Sequence, residues 1–524
     1  MALPIIEVPD QFNMGSILVD TPMQQGLGNK TAIICEDQEL TYEEVYNSVN
    51  KTGNMLADLG VLREQRVLLL LPDCPEFIFN IIGAMKLGAV AVPLNTLLKP
   101  KDYLYYLNDS RAAALVVSTD LLPLVEEILD QVLYLKHVIV VGETTNPKYI
   151  NYHKEMSKAS PELKAAETSK DDPAFWLYSS GTTGAPKGTI HLHHDMLFAA
   201  NYFDAGVTNL TPADRIFSVS KLFFSYGNVN SLYLPLLSGA TVILNPEKPE
   251  ATRILEIITR HKPTVFFGVP TSYSSMLKAV DQGDDSYDLS SIRVFVSAGE
   301  NLPPSLWQKW KDRFGSEICD GIGSTEVGYI YIANSPGQTK PGSSGRALPG
   351  YEVKIVDEDN QEVPPGQPGS LLVKGDGIAA GYWNKHHKTV KAFIGEWYVS
   401  GDRFSVDEDG FYWYTGRGDD MVKVGGIWVS PIEVETLLLE HPNIEECAVV
   451  GQMDQNGLLK TAAFVVLKDG MEGNEEVTND LLTHLKAKAA AYKVPRWIYY
   501  HNDLPKTATG KIQRFKLRQI VSDK

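Results

Sequence analysis

"YSSGTTGAPKG", residues 178–188, sets four Ser and Thr side chains, three glycines and a lysine in eleven residues. Such a loop suits phosphate, because hydroxyls donate, glycines admit close backbone approach and lysine adds a point charge. It nevertheless fails the Walker spacing of Gly, four residues, then Gly-Lys-Ser/Thr. Beyond Gly181 and its four followers, Pro186 stands where the second glycine belongs, and Gly188 where the hydroxyl belongs. The flanks differ too: "AFWLY" before the loop and "GTIHLHHD" after it both read as strands. A Walker loop instead opens a helix whose N-terminus holds the phosphate. Pro186 offers no N–H and disfavours helix at Ala185. The segment is therefore a strand-to-strand loop able to wrap a polyphosphate through Ser179, Ser180, Thr182, Thr183 and Lys187.

Outward from this loop the chain alternates helical and strand patterns. "TYEEVYNSVNKTGNMLADLGV" reads as an amphipathic helix whose Thr41 and Glu44 form a capping box. "RVLLLLPD" and "AALVVS" read as buried strands on either side of the helix "CPEFIFNIIGAMKLGAV". The same grammar returns in "TVILN", "ATRILEIITRHKP", "TVFFGVP" and "IRVFVSAGE". Apolar strands without alternation, separated by helices, predict parallel sheets covered on both faces. From about Gly345, "YEVKIVDEDNQEVPPGQPGSLLVKG" changes to a hairpin-rich β segment. After "GRGDDMVKVGG" a small α/β unit follows. There "SPIEVETLLLEHP" starts a helix with Ser430 as N-cap and Pro431 at the first helical position. "ECAVVGQ" and "TAAFVVLK" read as strands, and "NDLLTHLKAKAAAYKVP" as a helix ending at Pro495. The expected fold is α/β: a large N-terminal domain of parallel-type sheets flanked by helices, a β-rich subdomain, and a small C-terminal α/β domain. The boundary falls at Asp419, giving domains 1–418 and 419–524.

At 524 residues the chain exceeds one ordinary core. Its net charge of −17, with Lys and Arg dispersed, argues against nucleic acid and anionic membranes as partners. Any phosphate must be held by local groups against that field. Cys35, Cys74, Cys319 and Cys447 form no CxxC pair, which speaks for a reducing compartment and against a disulfide framework. No run approaches the roughly 20 apolar residues of a membrane span. "MALPIIEVPDQFN" lacks the basic start of a signal peptide, and "VSDK" lacks a peroxisomal or prenylation signal, so a cytoplasmic protein is expected. "HLHHD" at 191–195 invites a metal reading through His191 and His193, which share a face on a strand. With no further His or Cys nearby, a structural role after the phosphate loop is the better reading.

Four further motifs follow in order: "DGIGSTE" (320–326), "SGDR" (400–403), "GRGDDMVKVGG" (416–426) and "LPKTATGKIQR" (504–514). Together with the phosphate loop they resemble the adenylate-forming superfamily of acyl-CoA synthetases, peptide-synthetase adenylation domains and luciferases. "KLFFSYG" (221–227), "GIGSTE" and "LPKTATGKIQRFKLR" are similar to the benzoate-CoA ligase branch. The resemblance implies an acid activated by ATP to an acyl adenylate, with pyrophosphate released, and then passed to CoA with release of AMP. That chemistry is reversible, so AMP and pyrophosphate can also drive ATP synthesis.

By the same resemblance the residues of 178–188 hold the β- and γ-phosphates. Glu326 is the magnesium ligand, Thr325 an α-phosphate donor, and Lys511 the lysine that bridges carboxylate and α-phosphate. Ser297, Ala298, Gly299 and Glu300, with Asp320, Gly321, Ile322 and Gly323, wall the adenine. Ile322 stands where the superfamily usually has an aromatic. Asp402 takes the ribose hydroxyls and Arg417 lies near ribose or phosphate. Phe224, Ser225, Tyr226, Gly227, Leu234, Tyr329 and Ile330 line the acyl pocket. Tyr329 and Leu234 stand where benzoate ligases are expected to carry His and Phe. Benzoate-type and alicyclic acids such as cyclohexanecarboxylate are both open, with straight medium-chain acids third. Asp419 matches the hinge, and Gly425 and Gly426 leave room for a narrow pantetheine. Expected partners are the acid, ATP with Mg²⁺, and CoA, in a monomer or homodimer. The alternative reading is a stand-alone adenylation enzyme that loads a separate carrier protein.

Overall fold

The computed structural model describes residues 6–179, 185–282, 287–418, 420–424, 427–455, 458–506 and 511–522. Ser180, Thr182, Thr183, Asp419, Gly425 and Gly426, named above, lie outside the described residues.

An eight-stranded sheet runs in the order Gly381–Tyr382, Lys187–Leu192, Pro173–Ser179, Val90–Pro93, Arg66–Leu70, Ala114–Ser118, His137–Val141, Ile150–Asn151. From Pro173–Ser179 to Ile150–Asn151 neighbours are parallel. The Lys187–Leu192 strand is antiparallel to both its neighbours. The strands on either side of residues 180–184 are thus antiparallel neighbours, with Ser179 opposite Lys187, in keeping with a strand-to-strand connection. A nine-stranded sheet is parallel from Thr31–Cys35 through Thr241–Leu244, Arg215–Ser218, Val265–Gly268 and Val294–Ser297 to Ile318–Gly323. Antiparallel strands finish both of its edges.

The main core lies between these sheets. Val67, Leu69 and Val116 from one join Val242, Leu244 and Phe267 from the other. Pro75–Leu87 is buried nearly all round, as its unbroken apolar run requires. Separate cores cover the outer faces: Ala251–His261, Pro270–Asp281 and Pro304–Phe314 on the larger sheet, Pro100–Asp109 on the smaller. Burial on both faces is why these strands do not alternate. The Thr41 box is formed, with Glu44 N–H donating to Thr41 Oγ1 at 3.2 Å and Thr41 N–H to the Glu44 carboxylate at 2.7 Å.

The β segment is a five-stranded antiparallel sheet containing Glu352–Val356, Gly369–Lys374, Trp397–Val406 and Tyr412–Arg417. The C-terminal unit packs Pro431–Leu439, Glu475–Lys488 and Arg514–Ser522 around strands Ile444–Met453, Leu459–Leu467 and Trp497–Tyr500. Ser430 caps its helix as expected, accepting from Glu433 N–H at 3.2 Å. The following helix needs correction: it begins at Glu475 under an Asn474 cap and stops at Lys488, not at Pro495. Helix propensity in "AKAAAY" yields there to tertiary demands. The chain must turn back to lay Trp497–Tyr500 parallel to Leu459–Leu467, and Lys493 is held by Glu433.

Candidate active site

The candidate groups gather where the hairpin loop, the 324–328 turn and the β subdomain meet. Glu326 is only 6% exposed, so its carboxylate needs partners to stay inside the protein. Ser179 Oγ donates to Glu326 Oε1 at 3.2 Å and Tyr382 Oη donates to the same oxygen at 2.9 Å. Lys187 Nζ lies 3.6 Å from it and 4.1 Å from the centre of the Tyr382 ring. Burial pulls the Lys187 ammonium below its usual value, and Glu326 offsets part of that loss. One carboxylate thus gathers both ends of the loop before any phosphate arrives. A hard carboxylate oxygen among hydroxyls suits magnesium, which prefers to share its shell with substrate phosphates.

Ser297, the last residue of its strand, is the register partner of Asp320, where the parallel pairing of the two strands ends. "SAGE" and "DGIG" are therefore neighbours, at the position where open α/β sheets bind ligands. Ser297, Ala298 and Asp320 are buried, whereas Gly299, Glu300, Ile322 and Gly323 retain accessible surface. Burial raises the Asp320 carboxyl well above its ordinary value. Asp402 and Arg417 face each other across an antiparallel pair, and the guanidinium donates to Asp402 Oδ1 at 3.0 Å. Burial raises the Asp402 carboxyl, and Arg417 and Lys511 pull it back.

Lys511 reaches this cleft although more than ninety residues separate it from Asp402 in sequence. Solvent touches its side chain, while protein surrounds its ammonium closely enough to lower its affinity for the proton. The Glu300 and Asp402 carboxylates counter that effect and Arg417 adds to it. Glu300 in turn is raised by burial and feels Lys511 and Arg514. Lys278 pairs with Glu445 across the same junction of the two units.

The acyl-pocket candidates divide. Phe224, Ser225 and Tyr226 keep accessible surface, with Tyr226 Oη donating to the Gly268 carbonyl at 3.2 Å. Ser225 Oγ donates to the Gly328 carbonyl, tying this segment to the 324–328 turn. Gly227 is required for packing, since a Cβ there would meet the Lys221 carbonyl at 2.1 Å. Leu234, Tyr329 and Ile330 are buried in the core, at 2%, 2% and 1% exposure. Tyr329 Oη donates to Asn230 Oδ1, and its ring stacks at 6.1 Å on Tyr226. Lys221 is engaged by the Asn245 and Glu247 carbonyls.

Several residues of the site carry no sequence signal of their own. Tyr382 is one. Tyr105 Oη donates to the Pro186 carbonyl at 2.9 Å, and Tyr178 Oη donates to Asp109 at 2.9 Å, so one helix braces both feet of the loop. His191 and His193 part company. His191 bonds to Asp195 and to the Thr325 carbonyl, while His193 Nδ1 accepts from Met14 N–H.

These features define an AMP-binding enzyme. The sequence matches the AMP-binding enzyme family over residues 22–383 and the AMP-binding enzyme C-terminal domain over 433–511. The chain belongs to that family and is an AMP-forming acid–CoA ligase. It is 43% identical over 517 residues to the benzoate–CoA ligase of Thauera aromatica, covering 98% of this chain and 97% of that one. It is 39% identical to a 4-hydroxybenzoate–CoA/benzoate–CoA ligase of Rhodopseudomonas palustris, over 97% of this chain and 94% of that one. Among solved structures, the anthranilate CoA ligase AuaEII in complex with anthranoyl-AMP superposes with a TM-score of 0.93 at 42% identity, covering 98% of each chain. A benzoate CoA ligase from Burkholderia xenovorans LB400 gives 0.89 at 40%, over 97% of this chain and 100% of that one. No helix among the described residues is long and apolar enough to cross a membrane.

Proposed function

We propose that this enzyme makes the CoA thioester of an aromatic monocarboxylic acid of the benzoate type. The observation that carries this reading is the Ser225–Gly328 contact. It sets the aromatic segment of Phe224 and Tyr226 against the turn bearing Thr325 and Glu326. A ring held by that segment has its carboxylate beside the phosphate site. The relatives named for benzoate, hydroxybenzoate and anthranilate support a flat ring. Nothing in those comparisons speaks for cyclohexanecarboxylate.

In the first half-reaction a carboxylate oxygen attacks the α-phosphorus of ATP, and the bond to the pyrophosphate oxygen breaks. Two anions must meet, so fixed positive charge and donors matter most. Lys187 and Ser179, with Ser180, Thr182 and Thr183, hold the departing pyrophosphate. Thr325 donates to the α-phosphate, and Asp402 with Arg417 fixes the ribose. Lys511 stands between carboxylate and α-phosphate, near enough to Asp402 to feel its charge. Magnesium, held by Glu326 and phosphate oxygens, would neutralise developing charge.

In the second half-reaction the CoA thiolate attacks the acyl carbonyl and AMP leaves. Lys511 must then withdraw, and rotation about Asp419 would bring Gly425 and Gly426 to a pantetheine channel. The test is kcat/KM for benzoate, hydroxybenzoates, anthranilate and cyclohexanecarboxylate with Mg-ATP and CoA. A flat-ring acid is expected to lead. Equal or better use of cyclohexanecarboxylate would refute the aromatic assignment.

A further inference from the structure

The Lys187–Leu192 strand does more than carry the loop lysine. Side chains alternate along a strand, so Lys187, Thr189 and His191 share one face. All three address the same neighbourhood. Lys187 approaches Glu326, Thr189 Oγ1 lies 3.5 Å from Ser179 Oγ, and His191 Nε2 sits 2.7 Å from the Thr325 carbonyl oxygen. His191 and Asp195 are both 0% exposed, and His191 Nδ1 lies 2.9 Å from Asp195 Oδ2. Leu192 N–H donates to the same carboxylate oxygen at 3.0 Å. The imidazole also stacks on Phe175, 4.9 Å away and 14° from parallel.

A carbonyl oxygen can only accept, and a carboxylate oxygen accepts here too. The imidazole therefore donates at Nε2 to the Thr325 carbonyl, and Nδ1 shares a hydrogen bond with Asp195 Oδ2. The Thr325 carbonyl accepts from Gly328 N–H as well, at 3.1 Å, so both of its lone pairs are used. Space is closed around the turn. A Cβ on Gly328, whose φ is +83°, would meet Met196 Cε at 2.3 Å and His191 Cε1 at 3.4 Å. The peptide that joins Thr325 to Glu326 is thus gripped from inside by the buried His191–Asp195 pair.

We infer that His191, oriented by Asp195, is a positioning residue that sets the Thr325–Glu326 peptide relative to the hairpin loop. The strand holds the loop at Lys187 and the turn at His191, four residues apart, and so fixes the distance between pyrophosphate and α-phosphate donors. The inference rests on the reading of Thr325 and Glu326 given above. His191 touches no substrate. Its effect belongs to Mg-ATP and not to the acid.

The discriminating variants are His191→Gln, whose amide nitrogen can still donate toward Thr325, and His191→Asn, whose shorter amide can reach only Asp195. Adenylation is followed by pyrophosphate release as Mg-ATP and acid are varied separately, with thermal unfolding in parallel and Glu326→Gln as control. His191→Asn is expected to lose on the order of 10- to 100-fold in kcat/KM for Mg-ATP, the scale of a misplaced catalytic group, with the acid KM unchanged. His191→Gln should recover most of that loss. Should His191→Asn fail to fold, Asp195→Asn is put to the same test, with a smaller loss of the same selectivity expected. Normal adenylation in a folded His191→Asn enzyme, equal loss in the Gln and Asn variants, or a matching rise in acid KM would overturn the inference. Wild-type activity in Glu326→Gln would instead overturn the underlying assignment of the turn.

Discussion

Removing one oxygen from Tyr382 tests the proposed phosphate site at its least anticipated member. Tyr382→Phe keeps the ring that lies 4.1 Å from Lys187 Nζ and deletes the hydroxyl that donates to Glu326 at 2.9 Å. Glu326 retains Ser179 at 3.2 Å and Lys187 at 3.6 Å, so its charge is not orphaned. Hydrogen bonds to charged groups contribute about 1.5–3 kcal/mol, which as a rate factor is about 10- to 150-fold. Because two partners remain, the lower end applies, about tenfold in kcat/KM for Mg-ATP. The assay is pyrophosphate release at saturating acid, repeated across magnesium concentrations. The variant should need more magnesium for half-maximal rate, while the thioester half-reaction from supplied acyl adenylate stays intact. A folded Tyr382→Phe enzyme with unchanged rate and magnesium dependence would refute the idea that this hydroxyl orders Glu326.

Three other outcomes are expected. Lys511→Ala should lower adenylation by about 10²–10³-fold, as loss of a preorganised electrostatic contact does. Its thioester synthesis from supplied adenylate should survive, and equal loss of both steps would count against domain alternation. Asp73 is pushed up to about 6 by burial, against the opposing pull of Lys221 and the Leu222 N–H. A carboxyl raised above its unfolded value binds the proton more tightly in the folded state, so its contribution is complete below about pH 4 and lost as pH rises to about 6. Asp73→Asn should therefore gain stability relative to wild type between those values, by up to roughly 2–3 kcal/mol in denaturant melts. Thr41→Ala should cost about 1 kcal/mol of stability through the lost cap, with kcat untouched.

The parts of this enzyme legible in its sequence are those governed by short-range rules. Pro186 and the flanking apolar runs announce a hairpin, and the Thr41 and Ser430 caps follow from residue type and spacing. The sheets' parallel core follows from strands that do not alternate. Contacts set by long-range register were not legible. Tyr382 meets Glu326 across 56 residues, and His191 meets Thr325 across 134. No periodicity encodes either distance. The pairing of His191 with His193 failed for a related reason. The strand ends at Leu192, and His193 turns to the start of the first helix. Tyr329 and Leu234 are named for the pocket by resemblance; both are 2% exposed, and Tyr329 reaches the pocket segment through its ring stacked on Tyr226.

The central claim is the reaction itself. Purified protein given benzoate, Mg-ATP and CoA should form AMP, pyrophosphate and benzoyl-CoA in equal amounts. Without CoA it should form only enzyme-bound acyl adenylate and pyrophosphate. Formation of ADP and phosphate in place of AMP and pyrophosphate would contradict the account.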